Sequence, residues 1–205
     1  MNYLELLIER YPELSGLYDS LESFVGAVLF THSYGGKILL AGNGGSAADC
    51  EHISGELLKG FIECRFADGE DYEALYSELG EDAKKLQRGI CTVPLPSLSS
   101  LITAYSNDVD ASLVFAQLVY SLGRRGDLLI LLSTSGNSEN VVKAARAARA
   151  LGITVASLTG EGGGRLRELS DILITAPASE TYRVQEYHLP IYHALCAEVE
   201  RRLFK

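Results

Sequence analysis

Four clusters of residues in this 205-residue chain could carry chemistry. Gly42-Asn43-Gly44-Gly45-Ser46-Ala47 directly follows a short apolar run, Lys37 to Ala41, and precedes a helical pattern. Glycines let a ligand approach the backbone, and free amides at a helix start attract an anion. Ser46 is expected to cap that helix and offer its hydroxyl. Ser133-Thr134-Ser135-Gly136-Asn137-Ser138 repeats the arrangement after a second apolar run. Its hydroxyls and amide exceed what a turn needs and suit a phosphate ester. No Walker-type lysine follows to suggest a nucleoside triphosphate. His52 and Glu56 stand at i and i+4, one turn apart on one helix face, where they read as a surface pair or as functional groups. Gln185, His188 and His193 share a long C-terminal helical pattern with apolar neighbours, and Pro190 inside it should kink the helix.

The spacing of Gly42, Gly44 and Ala47 also fits a relaxed dinucleotide fingerprint. That reading needs an acid at the end of the second strand to hold a ribose. The second strand runs instead into Pro94-Leu95-Pro96.

These clusters must be held by a framework, and the chain alternates accordingly. Residues 2–34 carry apolar positions at threes and fours, a helical period that Pro12 divides. Strands are expected at 37–41, 90–95, 127–132, 153–158 and 172–175. Helices are expected at 46–59, 98–106, 111–123, 138–151, 164–170 and 181–203. Strand, glycine-rich turn and helix in repetition predict an α/β fold with a doubly wound parallel sheet, whose ligands bind outside the carboxyl ends of the strands. Both polar loops lie at that edge. The stretch 60–88 breaks the rhythm with Asp68, Glu70, Asp71, Glu73, Glu78, Glu81 and Asp82, and reads as an acidic insertion.

Composition narrows the function classes. A net charge of −9, from 27 acids and 18 bases, argues against a broad nucleic-acid footprint. Lys143, Arg146 and Arg149 recur every third residue and read as a solvated helix face. No apolar run reaches the ~20 residues of a membrane span. Cys50, Cys64, Cys91 and Cys196 form no CxxC pair, and the N-terminus has no export signal, so reduced thiols in a cytoplasmic protein are expected.

Together the strings AGNGGSAADCEHISGEL (41–57), LSTSGNSENVVKAARAAR (132–149), LTGEGGGRL (158–166) and RVQEYHLPIYHALCAEVE (183–200) resemble the phosphoheptose isomerase family, within the wider sugar isomerase (SIS) class. The resemblance implies one SIS domain over 1–205, flavodoxin-like with five parallel strands, its residues 1–36 an N-terminal helical element. It implies a homotetramer with sites between subunits, converting sedoheptulose 7-phosphate to D-glycero-D-manno-heptose 7-phosphate. Ser133, Thr134, Ser135 and Ser138 would hold the phosphate, and Asn43, Gly44, Ser46, Asp108 and Gln185 would contact the sugar. Some members of the family bind zinc, and the matching positions here are His52, Glu56, Gln185 and His193. Glu56 would take the carbon-bound proton on the way to an enediolate, and His193 would move protons between the oxygens. Two departures stand out: Tyr182 replaces a usual acid before Arg183, and the 60–88 segment is longer than the family's connection. Other readings within the same fold are a non-catalytic regulator that binds a replication initiator and a phosphosugar sensor.

Overall fold

The computed structural model describes residues 2–204. Met1, Lys205 and the side chain of Glu70 lie outside the described set. Among the described residues five strands form one all-parallel sheet in the order β2-β1-β3-β4-β5. They are β1 (Ile38–Gly42), β2 (Thr92–Pro94), β3 (Leu128–Ser133), β4 (Thr154–Gly160) and β5 (Ile172–Ala176). The order reverses direction between β1 and β3, the switch point of a doubly wound sheet.

Strands buried on both faces read as unbroken apolar runs, and β1 and β3 are buried along their full length. Side chains of successive residues point to opposite faces. Ile38 and Leu40 of β1, with Leu128 and Ile130 of β3, join a core beneath α1 (Tyr3–Arg10), α2 (Tyr18–Ser33), α3 (Gly45–Leu58) and α8 (Thr181–Leu203). Leu39 and Ala41, with Leu129 and Leu131, face α6 (Val114–Leu122) and α7 (Glu139–Ala150). Parallel register aligns Gly42 with Leu132 and Ser133 with Thr159, so the polar loops leave the sheet at one edge.

Pro12 divides the N-terminal region as expected, opening a 3-10 turn over Pro12–Leu17 between α1 and α2. Pro190 leaves α8 in one piece from Thr181 to Leu203. A mid-helix proline costs about 3 kcal/mol. Burial of Val184, Ile191, Leu195 and Val199 at about 1.5–3 kcal/mol each more than offsets it.

Two stretches interrupt the alternation of strand and helix. Between α5 (Ser99–Tyr105) and α6 the chain continues as a π-helical turn, Ser106–Asp110, and a 3-10 turn, Ala111–Leu113. The 60–88 segment leaves and returns through a narrow neck, where Arg88 N donates to Arg65 O at 2.6 Å and Ala67 N to Leu86 O at 3.1 Å. Beyond the neck it forms α4 (Gly69–Leu79), which packs against the turn Gly80–Lys85.

Candidate active site

The loop after β1 is shaped by its glycines. A Cβ on Gly42 would lie 2.7 Å from Ser46 O, and Gly44 adopts φ +55°, ψ −122°. Side-chain-bearing residues avoid that backbone region. Gly44, not Ser46, therefore caps α3, and no side chain closes the helix start. Ser46 is already inside the first turn and buried, its amide donating to Asn43 O at 3.0 Å. The Asn43 side chain exchanges two hydrogen bonds of 2.9 Å with Asn140 at the start of α7. That pair ties the first polar loop to the second.

The second loop is equally constrained. Gly136 has φ +65°, and a Cβ there would sit 2.0 Å from Gly163 O. Gly160 N donates to Thr134 O at 2.9 Å, and Leu166 N to Gly136 O at 3.1 Å. The 158–166 string thus buttresses the loop from behind. Within it Ser133 Oγ donates to Ser138 Oγ at 3.4 Å, and Ser135 Oγ accepts from Asn137 N at 3.2 Å. Ser138 precedes α7 without capping it by its side chain. Two helix starts without side-chain caps, surrounded by hydroxyls at a topological switch point, offer the kind of donors that an anion takes.

The residues expected to act as acid and base lie toward the other end of α3. His52 Nε2 is 3.2 Å from Glu56 Oε1 and 3.4 Å from His193 Nε2. Glu56 Oε2 also meets Lys59 Nζ at 3.2 Å. The Phe61 ring centroid is 5.6 Å from that of His193. Burial, reinforced by His52, holds the His193 imidazole below its ordinary value of 6.5, with Glu56 opposing. His193 is therefore neutral near pH 7 and able to give or take a proton.

The other expected residues are distributed differently. Gln185 packs its amide against Gly45, where a Cβ would meet Gln185 Nε2 at 2.4 Å. It stands roughly 12 Å up α8 from His193. Asp108 is exposed in the π-helical turn, and its carboxylate accepts from Asn107 Nδ2 at 2.9 Å. Of the four positions matched to zinc ligands, His52, Glu56 and His193 come together, and Gln185 lies against Gly45 beside the first polar loop. Among the described residues no group of three or more His, Cys, Asp or Glu side chains is arranged to hold a metal ion as it stands. The donor types, two imidazoles and a carboxylate, are those zinc takes.

Three residues of this region escape the sequence reading. Tyr192 Oη lies 2.9 Å from His52 Nδ1 and donates to Asp49 Oδ1 at 3.3 Å. Asp49 stands three residues before His52, a spacing that could have flagged it. Tyr192 adjoins His193 in sequence, and no helical period pairs it with α3. Arg65, fully buried, donates to Leu57 O at 2.9 Å and Glu56 O at 3.2 Å, closing the end of α3 under the catalytic candidate.

The fold, with polar loops at the switch point, defines an α/β domain of the sugar isomerase class, and residues 90–160 match the SIS domain family model. Similarity extends well beyond that segment. A phosphoheptose isomerase from Burkholderia pseudomallei (strain 1710b) is 37% identical over 188 residues, 92% of this chain and 84% of that protein. One from Mycobacterium tuberculosis (strain ATCC 25177 / H37Ra) is 41% identical over 170 residues, 83% of this chain and 76% of that protein. The structure of phosphoheptose isomerase from Neisseria gonorrhoeae superposes with a TM-score of 0.76 at 31% identity, covering 96% of this chain and 94% of that one. The chain belongs to the phosphoheptose isomerase family.

Proposed function

We propose that this chain is an aldose–ketose isomerase that converts sedoheptulose 7-phosphate to D-glycero-D-manno-heptose 7-phosphate. The observation that carries the chemistry is the convergence of Glu56, His52 and His193, with contacts of 3.2 and 3.4 Å. Glu56 takes the proton from the carbon beside the carbonyl, and the electron pair moves onto the carbonyl oxygen to give an enediolate. Neutral His193 passes a proton between the two oxygens, and Glu56 returns its proton to the neighbouring carbon. The phosphate sits on Ser133, Thr134, Ser135 and Ser138, and Asn43, Gly44, Ser46, Asp108 and Gln185 address the sugar hydroxyls. The relatives carry the isomerase's name, so the regulator and sensor readings are not favoured.

Subunit-interface sites in a homotetramer belong to the same proposal. Ser46 and Glu56 are separated by ten residues of one helix, roughly 15 Å along its axis. Carbonyl and phosphorus of an extended seven-carbon phosphate are only about 8 Å apart, at ~1.2 Å per bond. One chain alone would hold the substrate stretched, with several ångströms open at each end. Loops from one subunit and the acid–base cluster from another remove that stretch. A groove of about 480 Å³ between α1 and α8, bordered by Leu6, Leu7, Leu189, Pro190 and His193, offers a second copy an apolar seat beside the cluster.

Zinc on His52, Glu56 and His193, completed by Gln185 within the assembly, is also proposed. Bound there, it would polarise the substrate carbonyl. Elemental analysis should return about one zinc per chain, lost in His52→Ala; metal-free protein with full turnover would remove this part. Cytoplasmic location is proposed with it: all four cysteines are free, and among the described residues no helix is long and apolar enough to cross a membrane.

The test is solvent-proton exchange followed by NMR in heavy water with sedoheptulose 7-phosphate. Deuterium should enter beside the carbonyl with wild-type protein and not with Glu56→Gln. Absence of both exchange and aldose product with wild-type protein would overturn the reading.

A further inference from the structure

We infer that the Tyr192 hydroxyl, backed by Asp49, fixes the neutral His52 ring with its proton on Nδ1, leaving the Nε2 lone pair aimed between Glu56 and His193. The inference rests on the reading of this cluster as the site of isomerisation.

Tyr192 is 2% exposed, so little water reaches its hydroxyl. Its oxygen has two neighbours in hydrogen-bond range, Asp49 Oδ1 at 3.3 Å and His52 Nδ1 at 2.9 Å. A hydroxyl has one proton to give and lone pairs to receive with. A carboxylate accepts about twice as strongly as a neutral group, so Asp49 takes the tyrosine proton despite the longer distance. The reverse assignment would set the Asp49 carboxylate against the lone pairs of the buried tyrosine oxygen. The one inferred sets the Nε2 lone pair against Glu56 at the exposed end of the cluster, where His52 is 42% exposed and solvent or a cation can satisfy both.

With its proton given to Asp49, the tyrosine oxygen accepts from His52 Nδ1–H. The Nε2 of the neutral ring is then bare. It faces Glu56 Oε1 and His193 Nε2 at 3.2 and 3.4 Å. Two acceptors so close together favour a proton or a cation between them, which is what a site for proton transfer between sugar oxygens requires. Tyr192 touches no reacting atom in this scheme. It is a positioning residue, in the manner of the outer partners that orient histidine rings elsewhere.

The test reads the tautomer directly. Protein labelled with nitrogen-15 histidine, at a pH where the ring is neutral, gives long-range proton–nitrogen correlations that distinguish Nδ1–H from Nε2–H. The His52 signals are assigned among the four histidines by their loss in His52→Ala. Wild-type His52 should be Nδ1–H, and Tyr192→Phe should move it toward Nε2–H. In the same variant kcat should fall about 10–100-fold, the usual effect of losing an outer-shell partner, with KM nearly unchanged. Asp49→Asn should weaken the Nδ1–H preference without abolishing it, because the amide oxygen still accepts. An Nε2–H ring in the wild type, or a tautomer unmoved in Tyr192→Phe, overturns the inference. The tautomer is read without substrate, so its result stands independently of turnover.

Discussion

Arg65 Nε donates to Glu200 Oε1 at 2.7 Å, and both side chains are buried to within 2% of full enclosure. Glu200 also accepts from the amides of Phe61, Ile62 and Glu63 at 2.8, 2.7 and 3.1 Å. One ion pair thus fixes the last turn of α3, the chain after it, and the far end of α8. Removing one partner of a buried pair strands the other charge and costs about 3–5 kcal/mol. Arg65→Met should fall near the lower figure, since Glu200 keeps its backbone donors. Glu200→Gln should cost more, because its NH2 group replaces one of two accepting oxygens and faces amides that need an acceptor, while buried Arg65 loses its counter-charge. Urea unfolding at neutral pH measures both, and equal losses would contradict the assignment.

Gly136 gives a sharper contrast. Its positive φ alone penalises alanine by about 1–2 kcal/mol, and the carbonyl of Gly163 occupies the space a Cβ needs. Gly136→Ala must push the Ser133–Ser138 loop off the 160–164 segment, so KM for a phosphosugar should rise at least about tenfold, a near-complete loss of one charge-assisted contact. Gly162→Ala in the neighbouring turn meets nothing within 4 Å and should behave as wild type. Steady-state kinetics on the two variants side by side decides the matter.

How much was legible before the structure follows from where each signal lives. β1 and β3 announced themselves because strands covered on both faces need unbroken apolar runs, and their following loops fell at the switch point by topology. The cap falls on Gly44 rather than Ser46 because a hydroxyl's preference shows in sequence more readily than a φ that suits only glycine. The π-helical turn at Ser106–Asp110 leaves the helical period almost intact and so stays hidden. Arg65 pairs with Glu200 across 135 positions, and Tyr192 with His52 across 140, distances over which no pattern in one chain speaks. Gln185 shares α8 with His193, yet helix rise sends it to the other end of α3.

The separation of loops and acid–base cluster along α3 predicts complementation. Glu56→Gln lacks the proposed base, and Ser133→Ala with Ser135→Ala lacks proposed phosphate contacts, so each should be nearly inactive alone. If sites form between subunits, co-assembly rebuilds some sites from one intact loop and one intact cluster. Random mixing in a symmetric oligomer should restore about a quarter of wild-type activity. Mixed oligomers purified through two different tags and assayed for turnover give the answer; no recovery would mean that each chain supplies its site whole.

Acid should destabilise the fold through two groups on α8. Burial lowers the His188 imidazole from 6.5 to about 4, only partly opposed by its contact with Thr159 O at 3.3 Å. The unfolded chain therefore takes up this proton first as pH falls. The stability that neutral His188 contributes is complete above about 6.5 and lost between there and about 4, at most about 3 kcal/mol for a shift of that size. Glu198 acts in a lower window. Burial raises its carboxyl, but Arg201, the Tyr3 amide and Arg202 outweigh burial and bring it down to about 2. Its contribution is present above the ordinary value of 4.5 and disappears as pH falls toward 2. Urea midpoints taken from pH 8 to pH 3 should fall in both windows. His188→Gln, neutral throughout, should flatten the upper window and leave the lower one, whereas Glu198→Gln should do the opposite. An upper slope that survives His188→Gln would assign that proton to another group.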